Sequence, residues 1–243
     1  MACLKQMRWL ATAAAFFCAG LAAAQPWPSK VVRIQTTEAG GYPDAVARLI
    51  AQGLSVALGQ QVIVENRAIA AVDVVAKAPP DGYTLLFYTS VLWLSPFLRE
   101  SIGWDPVRDF APVMLATNSP NIVVVHPSLP VKSMRELIAL AKARPGELNY
   151  STSSPGSGNH LAAELFRVMA DVKVVRINYK GTGSALNSLA SGEVQLSFPS
   201  AGSVMPHLRA GRMRALAVTS AQPSALAPDL PTVAAAGLPG YEA

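Results

Sequence analysis

Residues 31–66 read VVRIQTTEAGGYPDAVARLIAQGLSVALGQQVIVEN and carry one complete strand–helix–strand unit. Val31-Val32-Arg33-Ile34 is a β-branched run that predicts a strand. Asp44 to Leu58 predicts a helix with Val46, Leu49, Ile50, Gly53, Leu54 and Ala57 along one stripe, and Asp44 stands where an N-cap is expected. Gly59 stands at the expected C-cap, and Val62-Ile63-Val64 predicts the next strand.

The same alternation continues on both sides of a break. Ala70 to Lys77 reads as a helix, and Tyr83 to Tyr88 as a strand entered by the turn Pro79-Pro80-Asp81-Gly82. A second series opens at Ile122-Val123-Val124-Val125, followed by a helix from Ser133 to Ala143 whose Ser133 and Glu136 form a capping box. Strand–helix pairs follow at 148–152/160–170, 174–177/183–190 and 194–198/203–210, and a last strand lies near Ala215 to Val218. Strands spaced by helices predict parallel βαβ units under helical cover. The Pro/Asn-rich stretch 117–121 predicts a crossover between two α/β lobes.

Composition narrows the function. The 243 residues are 51% apolar and only 14% charged, so a disordered chain is excluded. Lys5 and Arg8, the apolar run Trp9 to Leu21 and Ala22-Ala23-Ala24 form a secretory signal, which predicts cleavage before Gln25. Both cysteines, Cys3 and Cys18, leave with residues 1–24, so the exported chain has no disulfide, thiolate metal site or cysteine nucleophile. Without Lys5 and Arg8, the 20 basic residues become 18 against 15 acidic ones, a net charge of +3. These cations are scattered singly, which argues against nucleic acid and suits a small anion.

Three loops offer the chemistry. Each lies between a predicted strand and helix, where backbone N–H groups and the positive end of the helix dipole favour an anion. They are 36–44 with Gly40 and Gly41, 151–160 with Ser153, Ser157 and His160, and 179–184 with Lys180 and Gly181. Glycines admit a ligand close to the backbone, and hydroxyls donate to it; the same residues also serve as turns and caps. Gly156-Ser157-Gly158 lacks the third glycine of a dinucleotide fingerprint, and no P-loop, Gly-x-Ser-x-Gly elbow or His-x-x-x-His pair occurs. His126, His160 and His207 are isolated from one another. No nucleophile–base pair is visible, which disfavours a hydrolase or transferase on the same scaffold.

Longer strings point further. Trp27-Pro28-Ser29-Lys30, Glu38-Ala39-Gly40-Gly41 with Asp44, Val64-Glu65-Asn66-Arg67, Pro80-Asp81-Gly82-Tyr83-Thr84-Leu85-Leu86 and His160-Leu161-Ala162 occur in this order. Tyr179-Lys180-Gly181, Asp229-Leu230-Pro231-Thr232-Val233 and Leu238-Pro239-Gly240-Tyr241 follow. With them the sequence resembles the substrate-binding proteins of tripartite tricarboxylate transporters, the Bordetella uptake gene family of periplasmic receptors.

That resemblance implies an α/β, two-lobed Venus-flytrap fold of the type II periplasmic-binding-protein class, without catalytic activity or cofactor. It implies a monomer that holds a small organic acid between its lobes and delivers it to membrane permease subunits. Gly40, Gly41, Asp44, Ser153, Ser157, His160, Lys180 and Gly181 carry over as ligand-binding residues, with no metal site. The expected domains are a signal at 1–24, a first lobe at 25–117 to which 223–243 returns, and a second lobe at 118–222. Relatives continue beyond the Gly-Tyr-Glu at 240–242, so the resemblance also implies an incomplete first lobe. A periplasmic sensor feeding a signalling system and a non-functional truncated receptor are the alternatives.

The signal yields the first test. N-terminal sequencing of the exported protein is expected to begin at Gln25, and a membrane-bound product that keeps Met1 would contradict the cleavage.

Overall fold

The computed structural model describes residues 26–243; the expected signal at 1–24 and its cleavage point before Gln25 lie outside the described residues. The first sheet has three parallel strands in the order β2-β1-β3, with β1 at Val32–Thr36, β2 at Val62–Asn66 and β3 at Thr84–Leu86. Helix α1 (Tyr42–Leu58) links β1 to β2, α2 (Ala70–Ala76) links β2 to β3, and α3 (Val91–Leu98) follows β3.

Local chemistry sets the bounds of α1. Pro43 sits in the first turn, where its missing N–H has no intrahelical partner to lose, and Gly59 ends the helix at φ +64°. Gly41, not Asp44, is the N-cap residue, so Asp44 lies one turn inside. The buried face also differs from the expected stripe. Ala47 and Ala51 face Val32, Ile34 and Val62 in the core, whereas Leu49 is 68% exposed. Small alanines let the helix lie close to the sheet, and Ile50, Leu54 and Leu58 flank that contact.

The sequence strings at 27–30 and 80–83 form one clamp. The Trp27 indole donates to the Asp81 carbonyl at 3.1 Å, and the Ser29 N–H donates to the Tyr83 hydroxyl at 2.8 Å. The Lys30 ammonium lies 4.2 Å from the Tyr83 ring centroid. Trp27 packs on Gly82, where a Cβ would lie 3.1 Å from its ring.

From Arg99 to Asn121 the chain has no regular element. Trp104 is buried with Val72 and Leu92 and meets Phe110 edge-on at 6.2 Å. Beyond Phe110 the chain crosses over with Val113, Met114 and Leu115 exposed at 84%, 76% and 81%.

The second sheet has five strands in the order β6-β5-β7-β4-β8. They are β4 (Ile122–Val125), β5 (Asn149–Thr152), β6 (Val175–Asn178), β7 (Leu196–Ser197) and β8 (Arg214–Val218). Helices α4 (Met134–Ala143), α5 (Gly158–Met169), α6 (Thr182–Ala190) and α7 (Ala201–Arg209) cover it. β5 runs parallel to β6 and β7, but β4 is antiparallel to β7 and β8, so the all-parallel expectation fails at the strand that receives the crossover. All four β4 side chains are fully buried: Val123 and Val125 enter one core, Ile122 and Val124 the other. That alternation, apolar on both faces, is why the run has no polar member.

Half of one capping box and the tail depart from expectation. The Ser133 hydroxyl accepts the Glu136 N–H at 3.2 Å, while the Glu136 carboxylate reaches the Lys132 N–H, one residue before the cap. Residues 223–243 pack on the second lobe, not the first. Val233, Leu238 and Tyr241 join its larger core, the Val233 N–H donates to the Val218 carbonyl at 2.9 Å, and the Tyr241 hydroxyl donates to the Ala162 carbonyl at 2.7 Å. The outer edge of β8 had backbone groups to satisfy, and the tail satisfies them.

The cores of the two lobes are unequal. Five apolar side chains are buried between α1 and the first sheet and three in the cluster that holds Trp104, against 22 and ten in the two cores of the second lobe. Opening free energy follows buried apolar contact. In native-state hydrogen exchange the amides of β1–β3 are expected to exchange well before those of β4, β5 and β8; equal protection would show that the small core suffices.

Candidate ligand-binding cleft

The loops that carry the candidate residues leave the carboxyl ends of β1, β3, β5, β6 and β7, where open α/β sheets place ligands. Gly40 adopts φ +83°, which a side chain would strain, and donates its N–H to the Asp44 Oδ2 at 3.0 Å. Asn66 Nδ2 donates to Asp44 Oδ1 at 2.9 Å and also to the Thr37 carbonyl at 2.9 Å, and Arg48 Nε lies 2.9 Å from Asp44 Oδ1. Burial raises the Asp44 pKa, but the Gly40 N–H, the Asn66 amide and the Arg48 charge outweigh it and hold the carboxyl below its ordinary value. Asp44 therefore fixes the glycine loop, with both of its oxygens engaged by Gly40, Asn66 and Arg48.

The loop of the second lobe at 179–184 meets this one directly. Gly181 is the N-cap of α6, and the Ser184 hydroxyl accepts its N–H at 3.3 Å. A Cβ on Gly41 would lie 3.5 Å from Thr182 Oγ1, one on Gly181 would lie 3.1 Å from Glu38 Cβ, and one on Gly183 would lie 3.7 Å from the Gly40 carbonyl oxygen. At the start of α7, a Cβ on Gly202 would lie 2.5 Å from the Tyr42 ring. The N-termini of α1, α6 and α7 thus converge across the cleft. Lys180, beside them, is exposed and makes no ion pair among the described residues.

Ser153, Ser157 and His160 form a different cluster around α5. Ser153 Oγ donates to Asn159 Oδ1 at 3.0 Å, and Ser157 Oγ donates to the same oxygen. His160 is 6% exposed; its Nδ1 faces the Gly156 N–H at 3.1 Å and its Nε2 faces the Arg176 guanidinium. Burial first, and the Arg176 charge second, push its pKa below the ordinary value, so the ring is neutral. A neutral imidazole accepts through one nitrogen only, so one of these two N–H groups holds it at a time. Glu164, one turn on, takes Arg167 Nε at 2.9 Å and the Tyr150 hydroxyl.

The structure thus brings Gly40, Gly41 and Gly181 together with Lys180 alongside, keeps Ser153, Ser157 and His160 as a second group, and engages both Asp44 oxygens within the first lobe. Sequence reasoning missed Tyr42 and Thr182, whose side chains fill the glycine gaps, and Asn159, which collects the hydroxyls. It also missed Ser90, whose Oγ donates across to the Gly156 carbonyl at 2.8 Å. The position after β3 is the signal that could have found Ser90, since the loops after β1, β5 and β6 were found that way.

Residues 46–243 match the family model described as the tripartite tricarboxylate transporter family receptor. A UPF0065 protein in the tcbD-tcbE intergenic region of Pseudomonas sp. (strain P51) is 38% identical over 208 residues, which are 84% of this chain and 62% of that protein. The chain thus spans less than two thirds of that relative's length. The solved structure of R. palustris Rpa4515 with adipate is 40% identical at a TM-score of 0.87, covering 89% of this chain and 75% of the other. MatC from Rhodopseudomonas palustris with bound malate is 30% identical at a TM-score of 0.81, covering 89% and 76%. The fold is the α/β fold of periplasmic binding proteins.

Asp44→Asn leaves three donors facing a single remaining oxygen. A hydrogen bond to a charged group contributes about 1.5–3 kcal/mol, and a loss of that size in urea unfolding at pH 7 is expected. Because the folded pKa lies below the ordinary aspartate value of 3.8, this stability is present above 3.8 and fades as pH falls through the depressed value. The gap between wild type and variant should therefore shrink toward pH 3; a gap constant with pH would show that the charge is not its source.

Proposed function

We propose, starting from the fact that this chain belongs to the tripartite tricarboxylate transporter receptor family, that it is a periplasmic receptor for small organic dicarboxylates. The observation that carries this reading is the convergence of three helix N-termini from two lobes, with glycines in place of side chains at the contact. Their first-turn N–H groups lack intrahelical partners and carry the positive end of each helix dipole, so a carboxylate between the lobes gains charge-assisted hydrogen bonds from both. Adipate in one solved neighbour and malate in another are both dicarboxylates, which supports a ligand of that class. Gly40, Gly41 and Gly181 contribute the backbone cradle and Lys180 the nearby positive charge.

Ser153 and Ser157 take part at the cost of rotating away from Asn159. His160 contributes by holding the 153–157 loop, and Asp44 by holding Gly40. The receptor carries no catalytic group: closure, not bond chemistry, is its action. After cleavage before Gln25 it works in the periplasm as a monomer and delivers the closed complex to membrane permease subunits.

Isothermal titration of the whole chain with adipate and with malate tests the reading. Binding of at least one acid is expected. Gly181→Val, whose side chain meets Glu38 as the lobes close, should weaken it by about tenfold or more, roughly 1.4 kcal/mol. Absence of binding to both acids, or unchanged affinity in the variant, would overturn the reading or its cradle respectively.

A further inference from the structure

A second contact between the lobes lies away from the converging glycines, where α3 meets the loop 153–157. Gly156 is buried there: a Cβ on it would lie 2.8 Å from Leu98 Cδ1 and 3.5 Å from Leu94 Cβ, at a φ of +83°. Its two backbone polar groups are held from opposite sides. The N–H points to His160 Nδ1 at 3.1 Å, within its own lobe, and the carbonyl accepts the Ser90 hydroxyl at 2.8 Å, from the other.

Ser90 is spent on this contact alone. It precedes α3 as the N-cap residue, where a serine side chain ordinarily accepts an N–H of the first turn. Here it caps nothing. The neighbouring Thr89 Oγ1 accepts the Val91 N–H at 3.4 Å, which leaves the Ser90 hydroxyl to reach 66 residues along the chain.

We infer that Ser90, Gly156 and His160 form a latch across the cleft, with Ser90 the positioning residue that holds the lobes closed and slows ligand release. In the tautomer whose Nδ1 accepts, His160 holds the Gly156 N–H, so the adjoining carbonyl faces the first lobe. Ser90 engages that carbonyl only when the lobes are closed. The same loop carries the Ser153 and Ser157 hydroxyls, so seating the latch also seats them. The chain crosses between the sheets once, after Phe110 and before Ile122, and one connector does not fix the lobe angle by itself. The latch rests on the carboxylate-receptor reading in assigning release to this cleft, but the closed geometry does not depend on the ligand.

Small-angle X-ray scattering of the ligand-free whole chain reads closure, and stopped-flow release of adipate reads the consequence. Ser90→Ala is expected to enlarge the radius of gyration and to speed adipate release about fivefold to tenfold, with association and thermal midpoint near wild type. Ser90→Thr keeps the hydroxyl and should restore both. A Ser90→Ala protein with wild-type scattering and wild-type release would overturn the latch, as would a Ser90→Thr protein that behaves like Ser90→Ala. If the wild type takes up neither adipate nor malate, the dicarboxylate reading fails, and the scattering of the ligand-free variants still decides the latch.

Discussion

The two lobes touch through positions that have no room for a side chain. At Gly202 a Cβ would sit 2.5 Å from the Tyr42 ring, at Gly156 2.8 Å from Leu98, and at Gly181 3.1 Å from Glu38. The first two distances admit another residue only if the Tyr42 ring or the Leu98 side chain shifts, and the third leaves a few tenths of an ångström to yield. Each of these glycines lies at or beside the start of a helix in the second lobe and faces an element of the first. The fit therefore does two jobs. It lets the lobes close onto each other, and it leaves first-turn N–H groups bare on the closing surfaces, where a side chain would otherwise screen them.

That surface is charge-selective through its surroundings as well. Asp44 lies in the first turn of α1, where its charge would oppose an incoming carboxylate, but Arg48, Asn66 and the Gly40 N–H face it at about 3 Å. The hydroxyls of Ser153 and Ser157 are turned the other way, donating to Asn159. On the receptor reading proposed above, a carboxylate entering the cleft meets backbone donors first, and it recruits the hydroxyls only by breaking their bonds to the amide. The exchange replaces neutral hydrogen bonds with charge-assisted ones, which are about twice as strong, so it favours an anion over a neutral solute of the same shape.

Much of this was legible in the residues, and the failures have physical causes. The runs at 122–125, 149–152, 175–178 and 214–218 were read within a residue or two, because β-branched stretches between turn residues admit few alternatives. Helix α3 was missed: VLWLSPFL is apolar throughout, so it shows no period, and Pro96 lies inside it. The α1 stripe was misplaced because large apolar residues such as Leu49 were assumed to be inside, whereas the tight contact with the sheet is made by alanines. The antiparallel course of β4 leaves no mark on Ile122 to Val125, since a strand buried on both faces reads the same in either direction. Glycine loops announced three parts of the cleft. Asp44 was misread as a cap because its partners lie at positions 40, 48 and 66, and the last is 22 residues away. Ser90 belongs to a loop with no glycine, so only its position after β3 could have pointed to it.

The inequality of the lobes ties binding to folding. The first sheet rests on a small core, its connector exposes Val113, Met114 and Leu115, and the tail adds its apolar residues to the second lobe. A lobe so placed draws support from what it touches across the cleft. A ligand that binds only the closed form adds RT ln(1 + [L]/Kd), about 2.7 kcal/mol at a hundredfold excess over Kd, a sizeable share of a domain stability of about 5–15 kcal/mol. The ligand contacts both lobes, yet only the weaker one has much to gain. Occupancy should therefore tighten β1–β3 and their helices more than the five-stranded sheet. On the receptor reading proposed above, the first lobe is the element whose order would report that the cleft is filled.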